Sequence, residues 1–351
     1  MKTEIRVVTQ EGPSEVYEEA AKVLQKGGLV AFPTETVYGL GGNALDSQAA
    51  QKIYKAKGRP SDNPLIIHIA SVQALEDLTD AVPEKARQLA ERFWPGPLTM
   101  ILPKSSKVPL GTTGGLDTVA IRMPNHPVAL RLIRESGVYV AAPSANTSGR
   151  PSPTMAAHVQ EDLEGKIDMI LDGGMVEVGI ESTIVDLTSA IPTILRPGYI
   201  TKEMLEHVIG PVQIDPAILD RKGAMTGKPK APGMKYKHYA PKAQLTIVQG
   251  QKEKVIDRIY QLSQEQEKAG KKVGIIATDE TVKYYKNGVV RSIGSRMEQG
   301  SIARGMYKIL RDFDHLDVDV IYTESFEGDP MGMAIMNRLN KAAGYSILTA
   351  E

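Results

Sequence analysis

The chain contains no cysteine. Structural disulfides, cysteine-ligated zinc and thiol nucleophiles are therefore excluded. Aromatic side chains are scarce, with one Trp and four Phe, so the cores must be mainly aliphatic. The formal net charge is +0, and bulk electrostatics gives no ground for tight nucleic-acid or membrane binding. No run approaches the roughly 18 apolar residues of a membrane span, and the N-terminal stretch "MKTEIRVVTQEGPSEV" lacks the apolar core of a signal peptide. We therefore expect a soluble, cytoplasmic protein with no membrane partner. Several chemical signatures are also missing: G-x-x-x-x-G-K-[ST], H-E-x-x-H and G-x-S-x-G.

What is present is alternation. In residues 1–210, short apolar runs ("EIRVV", "GLVAF", "PLIIHIA", "LTMILP", "TVAIRMP", "VYVAAP", "DMILDGG", "STIVDL") interleave with helical patterns at 13–26, 47–57, 83–93, 127–135 and 155–163. "PTETVYGLGGNAL" between them reads as a loop. This predicts one α/β domain with a sizeable mixed sheet. Residues 244–351 restart the pattern, with helices at 252–268, 301–313 and 331–343 and a short one near Glu280. They predict a smaller Rossmann-like unit, and the length of the chain suits two domains. No G-x-G-x-x-G follows the first strand of this unit, so dinucleotide binding is not indicated.

Residues 211–243 separate the two domains. Prolines punctuate them at 211, 216, 229, 232 and 241, and residues 221–243 hold seven Lys or Arg with no acid. A cationic, aromatic, proline-stiffened strap, "KAPGMKYKHYAPKA", is unlike a flexible Gly/Ser linker.

Four constellations could carry chemistry, each with a plain structural alternative. Lys57, Arg59 and Asn63 in "YKAKGRPSDNPLIIHIA" could clamp a polyphosphate, or the two cations could simply cap a helix C-terminus. His68 in the same stretch is a ligand contact or a satisfied strand residue. The turn "APSANTSGRPSPT", with Ser144, Asn146, Thr147, Ser148 and Ser152 ahead of a helix, suits an anion or nucleotide, or is a polar surface loop. Arg122 interrupts one apolar strand and Arg196 ends another, while "GIESTIVDL" (Ser182, Thr183) and "PTETVYGL" (Thr34, Glu35, Thr36, Tyr38) place hydroxyls at strand ends, where open α/β sheets bind ligands. Cations and hydroxyls without an obvious nucleophile suggest a site that positions anions.

Six of these blocks, in the order "PTETVYGL", "KAKGRPSDNPLIIHIA", "AIRMPNHP", "APSANTSGRPSPT", "GIESTIVD" and "LRPG", resemble the YrdC-like domain. With the strap and a second α/β domain, the whole chain resembles the long, two-domain threonylcarbamoyl-AMP synthases. The resemblance implies a YrdC-like mixed twisted sheet with helices around a cationic cavity over 1–210, a linker or lid at 211–243, and a Rossmann-like domain at 244–351. It implies conversion of L-threonine, bicarbonate and ATP into L-threonylcarbamoyl-AMP, pyrophosphate and water. The product would serve a tRNA threonylcarbamoyl transferase complex that makes N6-threonylcarbamoyladenosine at position 37 of tRNAs reading A-starting codons. Lys57 and Arg59 would be catalytic. Thr36, His68, Arg122, Ala142 and Ser182 would bind threonine. Arg59, Asn63, Thr118, Ser144, Asn146, Ser152, Arg196, Tyr236 and His238 would bind ATP, with Lys235 and Lys237 neutralising phosphate. Mg2+ would enter with the nucleotide, and no dedicated metal cage is expected.

Some relatives carry a hydroxyl residue where this chain has Ala142, so only its backbone could contact threonine. Two other readings stand beside this one. The carbamoyl-transfer enzymes of hydrogenase maturation contain a similar domain but use cysteine zinc fingers, which this chain lacks. A double-stranded RNA or tRNA-binding module could use the same cavity, although zero net charge argues that RNA contact is weak at most.

Overall fold

The computed structural model describes residues 2–219, 229–232, 234, 238–326 and 330–351. Two compact units divide the chain: Met1–Ser148 with Ser152–Lys235, and Gly149–Pro151 with Tyr236–Glu351.

The first unit is built on eleven strands: β1 Glu4–Val7, β2 Val30–Phe32, β3 Gly39–Asn43, β4 Ile66–His68, β5 Leu98–Pro103, β6 Thr118–Arg122, β7 Val140–Ala141, β8 Met169–Asp172, β9 Thr183–Asp186, β10 Thr193–Arg196 and β11 Gln213–Ile214. They form one mixed sheet in the order β1-β8-β2-β3-β7-β4-β6-β5-β9-β10-β11. Side chains alternate between its two faces. Ile67, Met100, Ile121 and Val185 point into the larger aliphatic core, shared with Ile53, Leu89 and Phe93 of the covering helices. Ile66, Ile101, Ala120 and Ile184 occupy the opposite face with Leu195.

Helix Ser47–Lys57 shows how local sequence sets the boundaries. Asp46 caps its start by accepting from the Gln48 amide at 2.8 Å, and Gly58 ends it in the left-handed conformation at φ 60°. The chain is thereby turned to deliver Lys57 and Arg59 to the site.

Two expectations needed revision. The stretch read as a loop after Pro33 contains β3, because its glycines serve close packing. A Cβ at Gly41 would sit 2.8 Å from both Phe32 and Val140. The early part of residues 211–243 also has regular structure, since β11 pairs in parallel with β10 at the sheet edge. Further on, Ala231 is buried, with Met234 beside it, against Ile66, Ile101 and Ala120.

The second unit has five strands: β12 Gln244–Gln249, β13 Val273–Ala277, β14 Val289–Ser292, β15 Val320–Glu324 and β16 Ile347–Thr349. All pairings are parallel, in the order β14-β13-β15-β12-β16. Helix Lys252–Lys268 covers the face bearing Val248, Val273 and Ile275. Phe313 of helix Gln299–His315 packs on the other face, at Gly274. Among the described residues no helix is long and apolar enough to cross a membrane.

Candidate functional site

Register decides which polar side chains meet. His68 pairs with Arg122, and Arg122 with Thr99, on the adjacent strands β4, β6 and β5. Register partners project to the same side, so these three form a polar row across one sheet face. Two residues away, back along β4 and β6 and forward along antiparallel β5, lies the apolar row Ile66, Ala120 and Ile101. It is this row that Ala231 covers.

The polar row is edged by loops. Arg122 Nη1 donates to Thr36 Oγ1 at 2.9 Å, and the Thr34 and Thr36 hydroxyls lie 2.8 Å apart. The Thr99 and Ser182 hydroxyls are 2.7 Å apart, and Arg196 donates to the Ser182 carbonyl at 2.9 Å and its hydroxyl at 3.1 Å. Ser152 donates to Glu181 at 2.6 Å. The Tyr38 amide donates to the Pro153 carbonyl, and the Ala145 amide to the Tyr38 carbonyl. Ser144 bridges Gly39. A closed ring of contacts therefore runs from Thr36 past Arg122, Thr99, Ser182 and Ser152 to Tyr38 and the Ser144 turn.

One phosphate-clamp candidate, Lys57, attaches to that turn. Lys57 is 2 % exposed, and its ammonium donates to the carbonyls of Ser144 and Asn146, the latter at 2.5 Å. Its charge therefore holds the turn in shape. Ser144 in turn donates to Asn146 Oδ1 at 2.5 Å. Arg59 is tied back to the Asn63 and Pro64 carbonyls at 3.3 and 3.1 Å. The Ala142 amide bonds the Ile66 carbonyl at 2.8 Å, which sets Ala142 beside the strand of His68.

One of the expected residues stands apart from the ring. Thr118 opens β6, four residues from Arg122 on the same face, hence about 13 Å away at ~3.3 Å per residue. His238 belongs to the second unit, where its ring lies 5.4 Å from that of Tyr239. Tyr236, Lys235 and Lys237 lie outside the described residues.

The electrostatics are those of a site with unmet polar atoms. Glu35 and Arg122 form an ion pair at 2.7 Å, their side chains 5 % and 4 % exposed. The approach is too oblique for a hydrogen bond, so both Glu35 oxygens and Arg122 Nη2 are buried without an aligned partner. Asn63 Oδ1 is in the same condition. Native interiors rarely leave such groups unsatisfied without a purpose. Burial, with Arg122 nearby, pulls the His68 imidazole down to about 3. His68 is therefore neutral across physiological pH, with Nδ1 held 3.1 Å from the Ile66 carbonyl. Burial likewise pushes the Tyr54 phenol up to about 12, although Arg59 opposes it.

Sequence reasoning did not single out Thr99 or Glu181 and gave Glu35 no role. Thr99 is a lone polar residue in an apolar strand, which is a visible signal, whereas Glu35 and Glu181 stand beside hydroxyl residues. The meaning of the Thr99 signal depends on register, which is not written in one strand.

The fold and ring define a class: an α/β protein of YrdC-like architecture with a buried, polar, mixed-charge site on one sheet face. The family model described as "Telomere recombination", covering the YrdC type, matches residues 22–198, and the model "Threonylcarbamoyl-AMP synthase, C-terminal domain" matches residues 200–344. Threonylcarbamoyl-AMP synthase of Bacillus subtilis (strain 168) is 53% identical over 331 residues, 94% of this chain and 93% of the relative. That of Pyrococcus abyssi (strain GE5 / Orsay) is 53% identical over 329 residues, 94% of each. The crystal structure of P. abyssi Sua5 complexed with L-threonine superposes with a TM-score of 0.94 at 50% identity, covering 99% of this chain and 100% of that one. The chain belongs to the threonylcarbamoyl-AMP synthase family.

Proposed function

We propose that the ring of the first unit makes L-threonylcarbamoyl-AMP from L-threonine, bicarbonate and ATP, releasing pyrophosphate and water. One observation carries the assignment of roles: Arg122 is buried with Nη2 ion-paired to Glu35 at 2.7 Å but making no hydrogen bond, in one row with His68 and Thr99 and bonded to Thr36. A buried guanidinium with an unmet donor suits the carboxylate of an amino acid, because charge-assisted bonds to carboxylate are strong. Neutral His68, Thr36 and Ser182 supply short-range polar contacts for the rest of threonine. The backbone at Ala142 serves where its side chain cannot. A relative of high similarity has been crystallised with L-threonine.

The threonine amine takes up CO2 as a carbamate, whose oxygen attacks the α-phosphorus of ATP as pyrophosphate leaves. No covalent enzyme adduct is needed. Catalysis is then positioning of two anions and neutralisation of phosphate charge. Arg59, Asn63, Ser144, Asn146, Ser152 and Arg196 hold the nucleotide and its phosphates, with Thr118 near the far end. Lys57 fixes the Ser144 turn and lends it positive charge.

Among the described residues no group of three or more His, Asp or Glu could hold a metal ion. Glu35 is engaged by Arg122, and Glu181 by Ser152. A Mg2+ that arrives on the ATP phosphates would offset their charge.

The strap acts as a lid. Its segment at Ala231 sits on the apolar row adjoining the polar one, and Lys230 reaches to 3.9 Å from Asp186. Tyr236 and His238 would complete the cover over the nucleotide, shielding an acyl-adenylate from water. The enzyme is cytoplasmic and passes its product to a tRNA threonylcarbamoyl transferase complex, with RNA contact at most weak.

Pyrophosphate release from ATP is the test, measured in bicarbonate buffer without RNA. Dependence on threonine is expected. Release that ignores threonine, or RNA binding with no release, would reject the reading. Replacing Tyr236 and His238 by Ala should lower turnover or raise intermediate leakage, and unchanged kinetics would remove the lid.

A further inference from the structure

The sheet of the second unit contains a topological switch. β12 runs through helix Lys252–Lys268 to β13, passing β15. β15 runs through helix Pro330–Ala342 to β16, passing β12 in the opposite direction. The neighbours β12 and β15 thus send their crossovers apart. In open α/β sheets the crevice beyond the carboxyl ends of such strands is where ligands bind.

A crevice of about 400 Å³ lies at that place, lined by Gln249, Lys252, Arg296, Glu324, Ser325 and Thr349. This is within the usual range for small-molecule sites, at its lower end. Among these lining residues two cations, Lys252 and Arg296, stand against one carboxylate, Glu324. Glu324 is already engaged, receiving Arg296 Nη2 at 2.7 Å and the Tyr285 hydroxyl at 3.0 Å. Lys252 is exposed at the mouth, and Arg296 Nε is buried with no hydrogen-bond partner among the described residues. Arg296 is held firmly: its guanidinium lies 5.1 Å above the Phe326 ring, and its backbone amide donates to Glu280 at 3.1 Å.

Backbone geometry adds to this. The link from β12 to its helix is short, and Gly250 takes φ 141°, where a Cβ would meet the Ala350 carbonyl at 2.9 Å. The helix that follows is 17 residues long, and no side chain caps its first amides. Such amides, beside Lys252 and an Arg296 that also pairs with Glu324, suit a phosphoryl group. The unit lacks G-x-G-x-x-G, and its strand order is not the one that binds dinucleotides.

We propose that this crevice binds a small phosphorylated ligand, of mononucleotide size or less, at a site separate from the polar ring of the first unit.

The experiment is calorimetric titration of the full-length chain with inorganic phosphate, pyrophosphate and AMP. An Arg59→Ala/Arg196→Ala background suppresses phosphate binding in the first unit. One saturable site per chain is expected to remain for at least one probe. Adding Lys252→Glu or Arg296→Gln should weaken it at least tenfold. Arg296→Gln strips Glu324 of its partner and endangers folding, so surface-exposed Lys252→Glu, with an unchanged thermal midpoint, is the deciding variant. AMP binding tenfold tighter than phosphate would identify a nucleotide, and equal affinities a bare phosphate. No saturable binding of any probe in the background, or binding that Lys252→Glu leaves unchanged, would overturn the proposal.

Discussion

The two sheets treat polar side chains in opposite ways. In the second unit Val248, Val273 and Ile275 line one face, the buried polar residues inside the strands are hydroxyls such as Thr246 and Thr323, and Gln249, Glu324 and Thr349 lie at the carboxyl ends. In the first unit His68, Arg122 and Thr99 sit buried in a row across one sheet face. The arrangement in the second unit keeps the buried carboxylate of Glu324 at a strand end, where Arg296 pairs with it at 2.7 Å. The row in the first unit is expensive, because a buried charge must be paired and hydrogen-bonded to be tolerated. An all-parallel sheet presents ligands at its edge. A mixed sheet with one aliphatic core face can give part of its other face to a substrate.

Breaking the row should have the largest effect. Arg122→Gln leaves Glu35 buried and unpaired, so stability should fall by about 3–5 kcal/mol in a denaturant titration. In protein that remains folded, KM for threonine should rise on the order of 100-fold. Normal threonine kinetics there would detach the row from substrate binding. Ser182→Ala removes one hydroxyl shared by Thr99 and Arg196. Steady-state assays should show a loss of kcat/KM near tenfold, about 1.4 kcal/mol.

A matched change in the second unit should separate stability from chemistry. Gly274→Ala places a methyl 2.7 Å from the Phe313 ring, an overpacking expected to cost about 1–3 kcal/mol. Threonine-dependent pyrophosphate release by the folded fraction should not change, and a specific loss of that activity would blur the division between the units.

His68 predicts a pH effect of definite sign. Its folded-state value, about 3, lies below the ordinary 6.5, so the unfolded chain binds the proton first. The stability contribution is fully present above pH 6.5 and declines as pH falls from there towards 3. Comparing the thermal midpoint of the wild type with that of His68→Gln across this window should show the wild type falling more steeply. Parallel curves would place the acid sensitivity elsewhere. The smallest effect belongs to the exposed Arg87–Glu76 pair, 2.9 Å apart. Arg87→Ala should shift stability by less than about 0.5 kcal/mol in the same titration.

Much of this was legible in the chain. The aliphatic alternation predicted both units, and helix 252–268 matches its expected bounds. Motif order pointed to the family and to most residues of the ring. β3 was hidden because glycine signals a turn in isolation, whereas here three glycines let strands and side chains approach closely. The burial of Lys57 was hidden as well. A lysine ending a helix normally faces water, and only the returning Ser144–Asn146 turn supplies the carbonyls that enclose it.

Local chemistry thus determined most of the segments that become strands, the start and stop of helices such as 252–268, and which residues are chemically able to act, because propensity, capping and period two operate over a few neighbouring residues. Tertiary structure alone decided which of them act together. Arg122 meets Thr36 across 86 positions, and Thr99 meets Ser182 across 83. Such meetings are set by strand order and register, which depend on packing across the whole sheet and are written in no single segment.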